Sequence, residues 1–243
     1  MPNLRKRINR LRPTPESPYH KELPASPFIQ HAWDHGTRSL VLACDNMLGF
    51  LSMMRGAVPT SFAPYSVLRS GVDGIGLSRW LFEPEIGPDE RARRAYRAVI
   101  EDLIELGKAQ AIDPDESIAR ANSAGHLRAI ADEQASAHGV TPAPRDKSTY
   151  SALAVRYAPI VLDVNRSGAW GYAVLSAAAH GRAWAITLGI QSASEQRDGV
   201  RDFTLGPHHA LVDAMAWLVL RALTWAVEDA EGYAGIKHDP IPR

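Results

Sequence analysis

The sequence predicts an all-α fold: a bundle of about five long helices, with shorter ones between them and no substantial sheet. Three observations predict it. Apolar residues recur at three- and four-residue steps through several segments, which is the helical period. Helix start and stop signals bracket those segments. Runs that alternate apolar with polar residues, as a half-buried strand would, are almost absent.

Taken in order, residues 1–27 read as a basic, proline-rich N-terminal arm. Arg5, Lys6, Arg7, Arg10 and Arg12 precede the first acid, Glu16, and prolines 13, 15, 18, 24 and 27 forbid a long helix. Residues 28–243 read as a single helical domain. Its first helix is expected from Phe28 to Arg55, with Leu40, Val41, Met47, Leu48, Leu51 and Met54 on the helical period and Gly56 and Pro59 closing it. The second is expected from Pro64 to Phe82. Its glycines, Gly71, Gly74 and Gly76, each weaken an isolated helix by roughly 1 kcal/mol relative to alanine, and suit it to a close neighbour.

Pro88–Gln110 carries the clearest helical signal. Proline stands in the first turn, Asp89 and Glu90 lie at the positive end of the dipole, and Tyr96, Val99, Ile100, Leu103 and Ile104 form the expected buried stripe. Asp113-Pro114-Asp115-Glu116 offers an N-cap, a proline at the first helical position and a glutamate three residues after the cap. The helix it starts is expected to reach His138. A short helix follows around Ser148–Arg156, then a small-residue helix over Asn165–Ala179 with Gly181 placed as a C-terminal cap. Ala183–Ile190 reads as a short strand or a loose apolar segment, and 191–206 as loop. A last long helix is expected over Pro207–Glu231, with Leu211, Met215, Leu218, Val219, Ala222 and Trp225 buried. No internal repeat of fixed period is present.

Composition bounds the function classes. The 243 residues are 45% hydrophobic and 22% charged, which is ordinary for a globular chain long enough to bury a core. Lys+Arg and Asp+Glu are both 27, so bulk charge supplies no attraction to nucleic acid or anionic lipid. A local patch is left open, and the basic arm is where nucleic acid would be expected to bind. The single cysteine, Cys44, excludes an intrachain disulfide and fits a reducing, cytoplasmic setting. It reads as a small buried hydrophobe, or as a catalytic thiol. No signal-peptide core follows the N-terminus, and the longest apolar runs are broken by Asp45, by His180 and Arg182, and by Asp213 and Arg221, so a soluble protein without membrane contact is expected.

Several motifs touch on chemistry. His31 and His35 stand at i,i+4, which is metal-ligand spacing, but Ala32 occupies the place where zinc proteases carry glutamate, and no third ligand is evident. His208-His209 are adjacent and so point in different directions from a regular helix. No metal and no cofactor is expected. Glu101-Asp102-Leu103-Ile104-Glu105 resembles the acidic stretch of helical terpene synthases. It lacks the second acidic motif, and nearby arginines explain the acids as ion pairs. Arg120 with His126, and Arg201 with His208, match the arginine-to-histidine spacing of HEPN RNases. With 22 arginines and 9 histidines in the chain, about two such hits arise by chance.

A wider likeness rests on two segments. Pro64-Tyr65-Ser66-Val67-Leu68-Arg69-Ser70-Gly71-Val72-Asp73 is followed by Trp80-Leu81-Phe82-Glu83-Pro84, and Tyr172-Ala173-Val174-Leu175-Ser176-Ala177-Ala178-Ala179-His180-Gly181 comes later. Together they resemble uncharacterised all-helical proteins of actinobacterial type, distantly HEPN-like, over residues 28–190. The resemblance implies an all-α fold and no established activity.

Read physically, Arg69 and Asp73 are i,i+4 and can pair, while Tyr172, Ser176 and His180 form a polar stripe in a helix otherwise built mostly of alanine, glycine and other apolar residues. Such a stripe needs water, a polar partner or a pocket, because unpaired burial is costly. His180, Ser176 and Tyr172 are therefore the candidate catalytic residues, with Arg69, Asp73, Trp80 and Glu83 as candidate binding residues. Three readings follow. One is a helical binding or accessory protein with a polar cluster centred on His180, another a HEPN-like RNase or RNA-binding protein, and the third a small-molecule enzyme with a pocket between helices. A homodimer is the expected assembly.

Overall fold

The computed structural model describes residues 1–56, 62–112, 123–141, 150–158, 168–182, 185, 190–193, 203–205 and 209–237. The fold is all-α. Its helices are α1 (Pro2–Asn9), α2 (Pro18–Glu22) running into a 3₁₀ turn (Leu23–Ala25), α3 (Phe28–Arg55), α4 (Ala63–Leu81), α5 (Pro88–Ile112), α6 (Ala124–Ala137), α7 (Tyr150–Tyr157), α8 (Gly168–Ala179) and α9 (His209–Tyr233). Two short antiparallel strands, β1 (Ile190–Ala193) and β2 (Phe203–Leu205), pair Ile190 with Leu205 and Ala193 with Phe203. β2 and all of β1 but Ile190 fall within the segment expected to be loop, and Ile190 ends the segment expected as a short strand or loose apolar stretch. The proposed helix start at Asp113 lies outside the described residues. The start that is seen is Ser123, whose hydroxyl accepts from the His126 backbone N–H and caps α6.

The chain divides into two compact units. One comprises 1–10, 39–79 and 148–227, the other 11–38, 80–147 and 228–243. The division falls inside α3, α4 and α9. The arm itself is folded. Met1 precedes a proline-initiated helix, and Leu4, Ile8 and Leu11 are buried, as are Ser17 and Tyr19. Its prolines do limit helix length, as expected, and apolar residues at four- and three-residue spacing provide the burial.

In the first unit, α4 lies close to α3 and α7 because glycines line the approach. A β-carbon on Gly74 would stand 2.8 Å from the Ser39 carbonyl oxygen, and one on Gly76 would stand 2.8 Å from the Ala154 backbone. Leu68, Val72 and Ile75 of α4, Leu175 of α8, and Met215, Val219 and Leu223 of α9 are fully buried. Among the described residues α9 is the one helix long and apolar enough to cross a membrane, and one of its faces is packed into this core. Gly181, at φ +61°, ends α8 as expected: the Arg182 N–H reaches the Ala177 carbonyl at 2.9 Å. Cys44 is buried, and that burial pushes its thiol up, away from the reactive thiolate.

The second unit is built around an aromatic and arginine core. Trp33, Phe82 and Tyr233 lie with ring centres 5.6–6.4 Å apart. Arg91, 1% exposed, lies over Tyr233 at 4.1 Å from the ring centre. Its Nε donates to Glu22 at 2.8 Å, and its other nitrogens donate to the carbonyls of Leu81, Glu83 and Ile86. The buried face of α5 is therefore Arg91, Ala92, Arg94, Ala95, Tyr96 and Ala98, while Val99, Ile100, Leu103 and Ile104 are only half-buried. That corrects the expected stripe. Small alanines let a neighbouring helix approach, and the arginines are satisfied by carbonyls at the end of α4.

Candidate functional site

Three of the expected site residues converge in the first unit. Tyr172 of α8 donates its hydroxyl hydrogen to Asp73 Oδ1 of α4 at 2.9 Å. Arg69 sits one turn earlier on α4, 3.9 Å from Asp73 Oδ2 and 5.9 Å from the Tyr172 ring centre. Burial pushes the Asp73 carboxyl up; the Tyr172 hydrogen bond and the Arg69 charge pull it part of the way back. Arg69 Nε and the Tyr65 hydroxyl, on the same stripe of α4, are buried with no hydrogen-bond partner among the described residues.

The rest of the expected stripe does not reach this cluster. Tyr172 is buried, Ser176 half-buried and His180 exposed. The gradient follows from helix geometry. Each four-residue step advances 40° past a full turn, so two steps swing a side chain by about 80°. His180 also lies beyond the last residue of α8, its backbone N–H bonding the Ser176 carbonyl at 3.0 Å. Trp80 and Glu83 belong to the second unit. There Arg94 donates to the Trp80 carbonyl at 2.7 Å, to Glu83 at 2.5 Å and to Glu90 at 2.9 Å. That corner is an interlocked set of ion pairs that fixes the end of α4.

The second unit holds a cleft of about 430 Å³ between α3, α5 and α6. His31, Asp34, His35 and Arg38 line it from α3, Val99, Asp102 and Leu103 from α5, and Leu127, Ile130, Ala131 and Gln134 from α6. Polar groups thus stand mainly on one wall and apolar groups on the other two, the arrangement of an organic-ligand site. His35 Nδ1 is 3.3 Å from Asp102 Oδ2; the imidazole is 18% exposed and the carboxylate 51%. Asp34 accepts from Gln30 at 3.0 Å. Burial pushes His31 below its ordinary value, and neighbouring His35 and Arg38 add to that, while Asp34 opposes it.

His31 and His35 stood out in the sequence by their spacing, and they do share a site. Asp102 was passed over as one acid in a run of three. A signal was present. Glu101 pairs with Arg97 at 2.9 Å and Glu105 with Lys108 at 2.6 Å, both along the helix. Asp102 has Ala98, Val99, Glu105 and Leu106 at the neighbouring helical positions, so no cation on its own helix can claim it. Gln134 carried no signal. Among the described residues no group of three or more His, Cys, Asp or Glu side chains is arranged to hold a metal. Of the arginine-to-histidine pairs, Arg120, Arg201 and His208 lie outside the described residues, and His126 is exposed, as is His209.

Comparison with protein-family models, with curated proteins and with solved structures found no match.

Proposed function

We propose that this chain is a helical small-molecule-binding protein and that its ligand occupies the cleft between α3, α5 and α6. The observation that carries the proposal is the cleft's composition. Two imidazoles, two carboxylates, a guanidinium and an amide are set against Val99, Leu103, Leu127 and Ile130 in about 430 Å³. That volume suits a compact organic molecule with one polar edge and one apolar face. It keeps the binding-protein reading and moves its centre from His180 to His31 and His35.

The polar cluster of Arg69, Asp73 and Tyr172 then serves mainly to join α4 to α8. Ligand-observed NMR with a library of small aromatic and heteroaromatic compounds tests the proposal. Compounds that bind wild type should lose binding when the cleft is filled by Leu103→Trp and retain it in His180→Ala. Equal binding to wild type and Leu103→Trp would reject the cleft as the site.

A further inference from the structure

We infer that the cleft is catalytic as well as receptive: His35 acts as a general base on a bound molecule bearing an acidified C–H, with Asp102 as its positioning residue. This rests on the binding proposal above, and the geometry adds the chemistry.

A histidine becomes an effective base when one ring nitrogen is fixed by a partner and the other faces the substrate. His35 Nδ1 lies 3.3 Å from Asp102 Oδ2, on a neighbouring helix. The carboxylate favours the Nδ1–H tautomer and leaves the Nε2 lone pair available. Holding the ring in that orientation is the part a carboxylate plays beside a catalytic histidine in general. The imidazole is mostly shielded from solvent while remaining part of the cleft wall, so its proton transfers need not pass through bulk water.

The lining also narrows the reaction class. Among the described residues it contains no serine, threonine, cysteine, lysine or tyrosine, and the role that the His35–Asp102 pair fits is proton abstraction. The C–H electron pair moves into the ligand, and negative charge develops on its carbonyl, ring or leaving-group oxygen. N–H donors for that charge are at hand on the same lining: Arg38, Gln134 and His31. Burial holds His31 toward its neutral form, which still donates one N–H. Besides His35, the polar groups of the lining among the described residues are His31, Asp34 and Arg38 on its own helix, Asp102 on α5 and the uncharged Gln134 on α6. The substrate class is small molecules with a C–H acidified by an adjacent carbonyl or heteroaromatic ring, undergoing isomerisation or elimination without change of oxidation state overall.

Nitrobenzisoxazole is a suitable probe, because its ring opening requires only a base. Nε2 takes the C–H proton, that electron pair completes the nitrile, the N–O bond breaks, and the oxygen leaves as a coloured phenolate. The full-length protein should open the probe with saturation kinetics. His35→Gln should lower kcat on the order of 100-fold, and added imidazole should restore part of the rate to His35→Ala. Asp102→Asn should lower kcat on the order of 10-fold or more with KM little changed, and Asp102→Glu should recover part of the loss.

If the probe binds saturably and His35→Gln turns it over as fast as wild type, the catalytic inference is wrong while the binding site stands. If Leu103→Trp binds and reacts with the probe like wild type, the cleft is not the site and both readings fall together.

Discussion

Arg91 shows what a single side chain does here. Its guanidinium is nearly inaccessible and meets a carboxylate, three carbonyls and an aromatic face. Truncation to alanine would leave Glu22, with a side chain 15% exposed, facing Tyr233 without its cation. Breaking a buried pair from one side costs roughly 3–5 kcal/mol, so Arg91→Ala should lose about a third to a half of the roughly 10 kcal/mol of an average domain in a urea titration. Arg91→Lys should lose less but still measurably, because an ammonium cannot fork between Glu22 and the carbonyls. His31 offers a second test, by pH. Its folded value lies below the ordinary 6.5, so the folded state binds fewer protons than the unfolded chain between those two values. The neutral imidazole's contribution is therefore complete above 6.5 and is lost as pH falls through the folded value. Wild type should lose stability over that acid window relative to its value at pH 8, and His31→Gln should lose less. Parallel curves for the two proteins would contradict the assignment. Neither residue's role could be read from sequence. Arg91 is one of four arginines in its helix turn region, and only the carbonyls at the end of α4 distinguish it from Arg93.

The elements were far more legible than their faces. α3 runs over the residues its periodicity marks, and α4, α5 and α8 keep their expected cores. Caps and glycines fixed the ends where local chemistry decides them, as at Gly181. The buried face of α5 was misread because size was taken as the guide to burial. Alanines instead set the contact, and the half-buried Val99 and Leu103 became cleft wall. Of the α4 glycines expected to allow close approach, Gly74 and Gly76 do and Gly71 does not. A β-carbon on Gly71 would meet its nearest neighbour at an ordinary 3.7 Å, whereas one on Gly76 would meet the α7 backbone at 2.8 Å. Gly71→Ala should therefore be neutral or stabilising by up to about 1 kcal/mol, from helix propensity. Gly76→Ala gains the same propensity but must displace backbone, which overpacking studies place at roughly 1–3 kcal/mol. Thermal melts of the pair should move in opposite directions, or at least differ by several degrees.

At the scale of the whole molecule, the decisive residues are the first eleven. Their charge suggested a solvated basic arm, yet the Arg5–Asp45 pair, at 3.9 Å, is more than half exposed on both sides. Pairs of that kind contribute little and fade with salt. Leu4, Ile8 and Leu11 are instead 8%, 5% and 3% exposed. What holds this segment is apolar burial, and the i,i+4 spacing of Leu4 and Ile8 was visible in the sequence beneath the more conspicuous arginines. The two accounts differ in a measurable way. If burial holds the segment, Ile8→Ala should cost roughly 2–5 kcal/mol, and the cost should be the same at low and high salt. Arg5→Ala should stay within about 0.5 kcal/mol of wild type. A free basic arm predicts the reverse order: no effect of Ile8→Ala on stability, and a salt-sensitive change in binding to polyanions on removing Arg5. Denaturation of both variants at two ionic strengths separates them. A silent Ile8→Ala would return residues 1–11 to the status of a tail and with it restore the arm as the candidate nucleic-acid contact.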